Sequence, residues 1–432
     1  MSKAAMGRGV KRIGVIGAGA AGLIAGAFAA ANGCEVDIID GNEKAGKKLF
    51  LTGKGRCNIT NSADLDEFLR QIPHNGRFLY GAFGRFFNND IIKIINAYGV
   101  PTKLERGGRY FPESDKSSDV IRALTSFCAG KGANLVLNSL VTGLDRKGDG
   151  FTVHIKGQPS REYDSVILAT GGMSYASTGS TGDGFRFAKA LGHTVTELKP
   201  SLIPLVTAES WPCELMGLSH KNVTLRAYKH AENAAKNAKK RKPVYEELGE
   251  MLFTHFGVSG PLVLSASSYL AEAPEGAELE IDIKPALSHE VLDARVLRDF
   301  EKYKHKQVRN AMVELLPQRL IDTVLALAEV EPETTIDCLT REQRLSIVGT
   351  MKCMRLTVKC ARPMNEAIIT RGGIPIKEVN PSTMESKLVP GLFFAGEVLD
   401  VDAHTGGFNL QIAFSSGAAA GKGAASRALE SE

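Results

Sequence analysis

The sequence contains no CxxC pair. Its 7 cysteines (Cys34, Cys57, Cys128, Cys213, Cys338, Cys353 and Cys360) are scattered and odd in number, which speaks against a disulfide framework or a thiolate zinc site and for a reducing compartment. No metal site is expected. Charge of one sign is scarce too: 53 Lys and Arg against 48 Asp and Glu leave a net +5, which requires neither a nucleic acid nor a membrane as partner. The opening "MSKAAMGRGVKR" has no apolar stretch and no small-residue cleavage site, so a cytoplasmic chain is expected. The one long apolar run, Ile13 to Ala31, is broken by five glycines and reads as strand, turn and helix, not as a membrane span. Glycine itself is plentiful at 45 residues, a sign of tight turns and close backbone approaches.

"RIGVIGAGAAGLIAGAFAAANGCEVDIID" reads as a buried strand, a glycine turn over 17–22, a helix ending near Gly33 and a second strand ending at Asp40. In this βαβ unit Gly17, Gly19 and Gly22, with Ala20 and Ala21, would turn backbone N–H groups and the helix dipole toward a pyrophosphate. Asp40 would accept hydrogen bonds from a ribose. The competing reading is a glycine turn used only for helix packing.

Further on, a meander of strands leads to "SVILATGG", which returns to a central parallel sheet and sets Ala169, Thr170 and Gly171 at a strand end. Short polar strands then run to about Ile283, and helical repeats follow from His289 to about Val330. Leu292, Val296 and Phe300 share one face there, and Met312, Leu315 and Leu316 another. In the tail, "GLFFAGEVLD" places Gly396 and Glu397 where a carboxylate can hold ribityl hydroxyls. "HTGGFNLQ" opens a helix at Gly406 and Gly407, so that Phe408, Asn409 and Leu410 begin a turn whose N–H groups suit the electron-rich edge of a flavin. These tail features favour FAD over NAD.

"GKKLFLTGKGRCNIT", "LFTHFGVSGP" and "TMESKLVPGLFFAGEVLDVDAHTGGFNLQIAFSSG" together with the N-terminal fingerprint resemble the BaiN/YhiN-type flavoproteins, NAD(P)/FAD-dependent oxidoreductases also described as aminoacetone oxidase-like. The resemblance spans nearly the whole chain. It implies an α/β fold: a glutathione-reductase-type, Rossmann-like FAD-binding domain interrupted by a β-barrel and a small helical subdomain. The expected boundaries are 1–198 for the first FAD part, 199–287 for the barrel, 288–350 for the helices, and 351–432 for the return to the β domain and the FAD domain. It also implies that the "GKK" loop follows the cofactor from Lys47 and Lys48 at the adenosine side to Gly55, Arg56, Cys57 and Asn58 at the flavin, and that Val141 contributes to the same site. The plainer reading of that loop is a solvated basic segment. Cys57 lacks a neighbouring thiol and reads as a packing or flavin-contact residue, not half of a redox pair.

The implied activity is reduction of a C=C bond conjugated to a ketone, as in 3-oxo-Δ4 or Δ4,6 bile acids and steroids, with NAD(P)H a possible transient donor. The alternatives are an oxidase of a small amine and a redox-sensing, RNA-binding flavoprotein. Candidate proton donors are His255, Tyr110 and His404, each with a structural role as the competing reading, and Arg371 could hold a substrate carbonyl. "GAAAGKG" at Gly417 to Gly423 has the wrong spacing for a phosphate loop. "KNAKKRKP", from Lys236 to Pro243, lacks interleaved aromatics and reads as a solvated hairpin tip, so nucleic acid is not an expected partner.

Overall fold

Strand β1, Arg12–Ile16, is buried from its second residue onward because it lies inside a five-stranded sheet. Parallel neighbours flank it on both sides, with Val15 opposite Ile167 of Ser165–Leu168 and opposite Ile38 of β2, Glu35–Ile39. Asn134–Val136 and Leu392–Phe394 complete the two edges, both parallel. Buried on both faces, these strands are continuous apolar runs and do not alternate. Helix α1, Ala20–Ala31, makes the crossover from β1 to β2, as parallel pairing requires.

The computed structural model describes residues 10–230 and 242–430. It divides into two units, Met1–Pro200 with Met364–Glu432, and Ser201–Pro363. In the first, the long C-terminal helix Phe408–Glu430 packs on α1. Contact is this close because Gly417 and Gly421 have no side chains: a Cβ there would meet the carbonyls of Ala21 and Ala25 at 2.4 and 2.2 Å. The "GAAAGKG" stretch is therefore a helix-packing stripe. An antiparallel meander, Val141–Lys147, Gly150–Ile155 and Arg161–Tyr163, precedes the strand Ser165–Leu168. A small sheet joins Thr60–Asn61, Arg109–Pro112 and Thr102–Glu105.

The second unit is a closed six-stranded barrel followed round by Leu205–Thr207, Gly257–Ser259, Tyr245–Thr254, Ser219–Tyr228, Glu278–Asp282 and Met354–Ala361. Its strands alternate, so that Val223, Leu225, Met251, Phe253, Leu279 and Ile281 fill the interior. Before the last strand come the helices His289–Lys302, Gln318–Leu327 and Arg341–Lys352. Leu292, Val296, Phe300, Met312, Leu315 and Leu316 are all buried, in one apolar cluster with the barrel. Of the "KNAKKRKP" segment, Lys236 to Arg241 lie outside the described residues. No helix among the described residues is long and apolar enough to cross a membrane, and no group of side chains there could hold a metal ion.

Candidate functional site

The glycines of the β1–α1 turn separate into two kinds. Gly17, at φ +107°, and Gly22 are sealed: a Cβ would meet Ala169 O at 2.5 Å and Gly17 O at 1.8 Å respectively. Gly19 faces open space, with nothing within 4 Å of where its Cβ would lie. It is also the N-cap of α1, whose first turn carries neither a side-chain cap nor an acidic residue. An uncapped helix N-terminus opening onto free space suits a pyrophosphate. The acid at the end of β2 is otherwise engaged than expected. Asp40 accepts from Ala18 N at 2.7 Å through Oδ2, and from Asn42 N and Nδ2 at 2.8 and 2.9 Å through Oδ1. Its short side chain reaches back to fix the glycine turn, and a ribose would have to share it.

The loop after β2 also differs in detail from the sequence-based expectation. Lys47 pairs with Glu43 at 2.9 Å. Lys48 donates to Ser174 Oγ at 2.7 Å and pairs with Glu397. Arg56, expected at the flavin, stacks over Phe111 and is held by Glu105 and Asp115. Cys57 is fully buried, and burial pushes its thiol up to about 12, which makes it a packing residue with little thiolate character. The neighbouring features are open. Gly55, at φ +84°, has nothing within 4 Å of its Cβ position, and the buried Asn58 Oδ1 has no hydrogen-bond partner among the described residues. The same is true of Thr170 Oγ1, at the end of Ser165–Leu168 next to Ala169 and Gly171. These orphaned acceptors and the vacant space above Gly19 and Gly55 fit a long dinucleotide such as FAD. Val141 is buried at the start of its strand.

Glu397 is the hub of the tail. Besides Lys48, its carboxylate accepts from Ser174 Oγ at 2.9 Å and Thr370 N at 2.8 Å, and Gly396 N donates to Ser416 Oγ at 2.9 Å. Gly406 and Gly407 adopt φ +128° and +97° and lead into the C-terminal helix. Asn409 turns its amide back onto Ala403 N and O, while Phe408 is buried and Leu410 half-buried.

The proton-donor candidates fare unequally. His255 is exposed in the tight turn between Tyr245–Thr254 and Gly257–Ser259 of the second unit, so it is no core histidine. Tyr110 is half-buried on Arg109–Pro112 and packs against the apolar core. His404 is buried, with Nδ1 at 2.8 Å from Gln71 Oε1; burial lowers its pKa to about 4, so at neutral pH it has no imidazolium proton to give. Sequence reasoning missed a different cluster. The segment Gln71–Asn75 lies along 400–404 through His404 N to Gln71 O, Asn75 Nδ2 to Asp400 O at 2.7 Å, and a bridge between His74 and Asp402. His74 Nε2 is 3.1 Å from Asp400 Oδ1, and its Nδ1 is 3.5 Å from Arg371 Nη2. Only the "DVD" beside the glycine pair hinted at this in sequence.

The HI0933-like protein Rossmann domain family model matches residues 11–423. The chain belongs to that family. It is the family of FAD-dependent oxidoreductases that the motifs resemble. A ribosomal RNA dihydrouridine synthase of Escherichia coli (strain K12) is 30% identical over 403 residues, 93% of this chain and 95% of that protein. A 3-dehydro-bile acid delta(4,6)-reductase of Clostridium scindens is 30% identical over 429 residues, 97% of this chain and 100% of that protein. A second ribosomal RNA dihydrouridine synthase, from Haemophilus influenzae, is 30% identical over 408 residues, 93% and 95% of the two chains. This HI0933-like chain thus matches relatives with two differently named substrates at one level of identity.

Proposed function

We propose that the protein is an FAD-dependent reductase of a C=C bond conjugated to a carbonyl, and that its substrate is uridine in ribosomal RNA. The observation that carries the cofactor half is the open space over Gly19 at the uncapped start of α1. Bound there, FAD would supply the hydride. The relatives' two names describe one kind of chemistry. Making dihydrouridine saturates the C5=C6 bond of uracil, conjugated to its C4 carbonyl, and a 3-oxo steroid dienone presents the same conjugated arrangement. The chain's part is to bind and orient the carbonyl, exclude water and move one proton.

RNA is favoured over a bile acid by exposed residues of the first unit. Arg77, Tyr80 and Arg85, all within about a dozen residues after His74 in the chain, are exposed, with Tyr80 60% accessible. Cations interleaved with an exposed aromatic ring suit a nucleic-acid strand, which gains both phosphate contacts and stacking. The sequence-based expectation against nucleic acid rested on the net charge of +5 and on Lys236 to Pro243, not on Arg77, Tyr80 and Arg85. The bile-acid reading rests on an alignment that spans all of that relative.

The test is anaerobic. The flavin of the purified protein is reduced, unmodified ribosomal RNA is added, and the oxidised flavin spectrum is followed while nucleosides are weighed. Return of the spectrum with uridine gaining two hydrogens is expected. Return with a 3-oxo-Δ4 steroid but not with RNA would transfer the assignment to the steroid, and return with neither would sink the reductase reading. Bleaching of the flavin by NADPH alone would identify the donor. Exchanging both Arg77 and Arg85 for Ala should weaken RNA binding and flatten its salt dependence, with flavin content unchanged.

A further inference from the structure

We infer that Arg371 and His74 form a clamp on the substrate carbonyl, Arg371 holding the oxygen and His74 delivering the proton to the adjacent carbon. This rests on the proposed reduction and goes beyond it by naming the groups that complete it.

The geometry has three parts. First, Arg371 follows directly on Thr370, whose backbone N–H is held by the tail carboxylate Glu397, itself paired with Lys48. Second, His74 is oriented from one side. Its Nε2 lies 3.1 Å from the buried Asp400 Oδ1, to which it donates, and Asn75 Nδ2 donates to Asp400 O, which fixes the two segments side by side. A carboxylate behind one ring nitrogen, with the chemistry at the other, is a general way to aim an imidazole. Third, Nδ1 faces Arg371 Nη2 at 3.5 Å, too far for a strong hydrogen bond. With Nδ1 protonated, these are two N–H donors side by side, and an anionic oxygen placed against Arg371 would bring its neighbouring carbon to the His74 N–H. In an enolate those two atoms are two bonds apart. The His74 side chain is 30% exposed, so a ligand can reach it.

Reduced FAD, when bound, would supply a hydride to the β-carbon and be oxidised by it. The C=C electron pair would then move to the carbonyl oxygen beside Arg371, and as the carbonyl re-forms the α-carbon would take the Nδ1 proton. The His74 N–H bond breaks, the substrate gains two electrons and two hydrogens in all, and water returns the proton to His74. Asp400 holds the imidazolium while it waits.

Two measurements test the clamp. The first titrates the oxidised, flavin-loaded protein with para-chlorophenol, whose phenolate mimics an enolate, and reads the long-wavelength charge-transfer absorbance; Arg371→Gln should weaken binding at least tenfold. Should that variant not hold flavin, Arg371→Lys, which keeps the charge but loses the fork, should still weaken it. The second is a single turnover with ribosomal RNA or the enone. His74→Ala and His74→Gln should slow flavin reoxidation about 100-fold or more, imidazole should restore part of the rate to His74→Ala, and Asp400→Asn should lie between. Unchanged phenolate affinity in the Arg371 variants, or full speed in the His74 variants, would overturn the clamp. If the wild-type protein turns over neither substrate, the proposed reduction fails, and the phenolate titration still decides the Arg371 half.

Discussion

Two histidine–carboxylate pairs in the first unit look alike on paper and differ in every physical respect that matters. His193 has no exposed side-chain area; its Nδ1 donates to Glu378 Oε2 at 2.7 Å and its Nε2 accepts from Ser386 Oγ at 2.8 Å. Ser386 Oγ in turn accepts from Leu388 N and Val389 N. This has the connectivity of a Ser–His–Glu triad, yet the hydroxyl has two backbone N–H groups on its lone pairs and is 5% exposed, so it cannot attack anything. Burial alone would raise the pKa of Glu378, but hydrogen bonds from Thr194 and His193 outweigh it and hold the carboxyl below its usual range. His74, with Asp400 behind it, leaves one edge accessible. A saturated pair stabilises a fold, and a pair with an open edge is available for chemistry.

The sharpest way to break that comparison is to remove each imidazole. His193→Ala would strand Glu378 and Ser386 and leave a hole beside Phe394, whose ring lies edge-on at 4.8 Å. Breaking a buried pair costs about 3–5 kcal/mol, and urea unfolding should show a loss of that order with the same slope. His74→Ala should cost less, because the His74 ring is 30% exposed where His193 has no exposed side-chain area, so water can reach the carboxylate left behind. Equal losses would mean that His74 is structural too.

His404 is a third case, buried like His193 but with the neutral Gln71 amide 2.8 Å from its Nδ1, and it sharpens the comparison through pH. Its folded pKa, about 4, lies below the ordinary 6.5, so between those values the unfolded chain binds a proton that the folded chain does not. Its contribution is complete above about pH 6.5 and is lost as pH falls toward 4, in total roughly 3 kcal/mol. His404→Gln should flatten the fall in urea midpoint between pH 7 and pH 4.5; an unchanged fall would assign that acid sensitivity to other groups.

Local pattern carried much of this in the sequence. The run from Arg12 to Asp40 folds as its periodicity and glycines dictate, and the tail forms a strand, a glycine loop and a helix as expected. Pairing at a distance was not legible: nothing in "GKK" tells that Lys48 meets Glu397, nor in "GKGRC" that Arg56 will be claimed by Glu105 and Asp115. His74 was passed over for the same reason. Its partners Arg371 and Asp400 stand about 300 residues away, and a lone histidine in "IPHNGR" carries no periodic or motif signal.

The smallest change in stability divides the glycine turn itself into closed and open positions. Gly22→Ala places a methyl 1.8 Å from Gly17 O, so either α1 or the turn must move. Overpacking of this kind costs about 1–3 kcal/mol, read as a lower urea midpoint with or without cofactor. Gly19→Ala meets nothing within 4 Å and sits at an extended φ of −82°, so the apoprotein should unfold within about 0.5 kcal/mol of wild type. Yet its methyl occupies the space where a pyrophosphate would approach the N–H groups of α1. The purified Gly19→Ala protein should therefore be colourless, or lose its flavin on dialysis, while Gly22→Ala loses flavin only in proportion to its lost stability. A yellow, stable Gly19→Ala protein would show that the cofactor lies elsewhere, and the open space above this glycine would then have no assigned occupant.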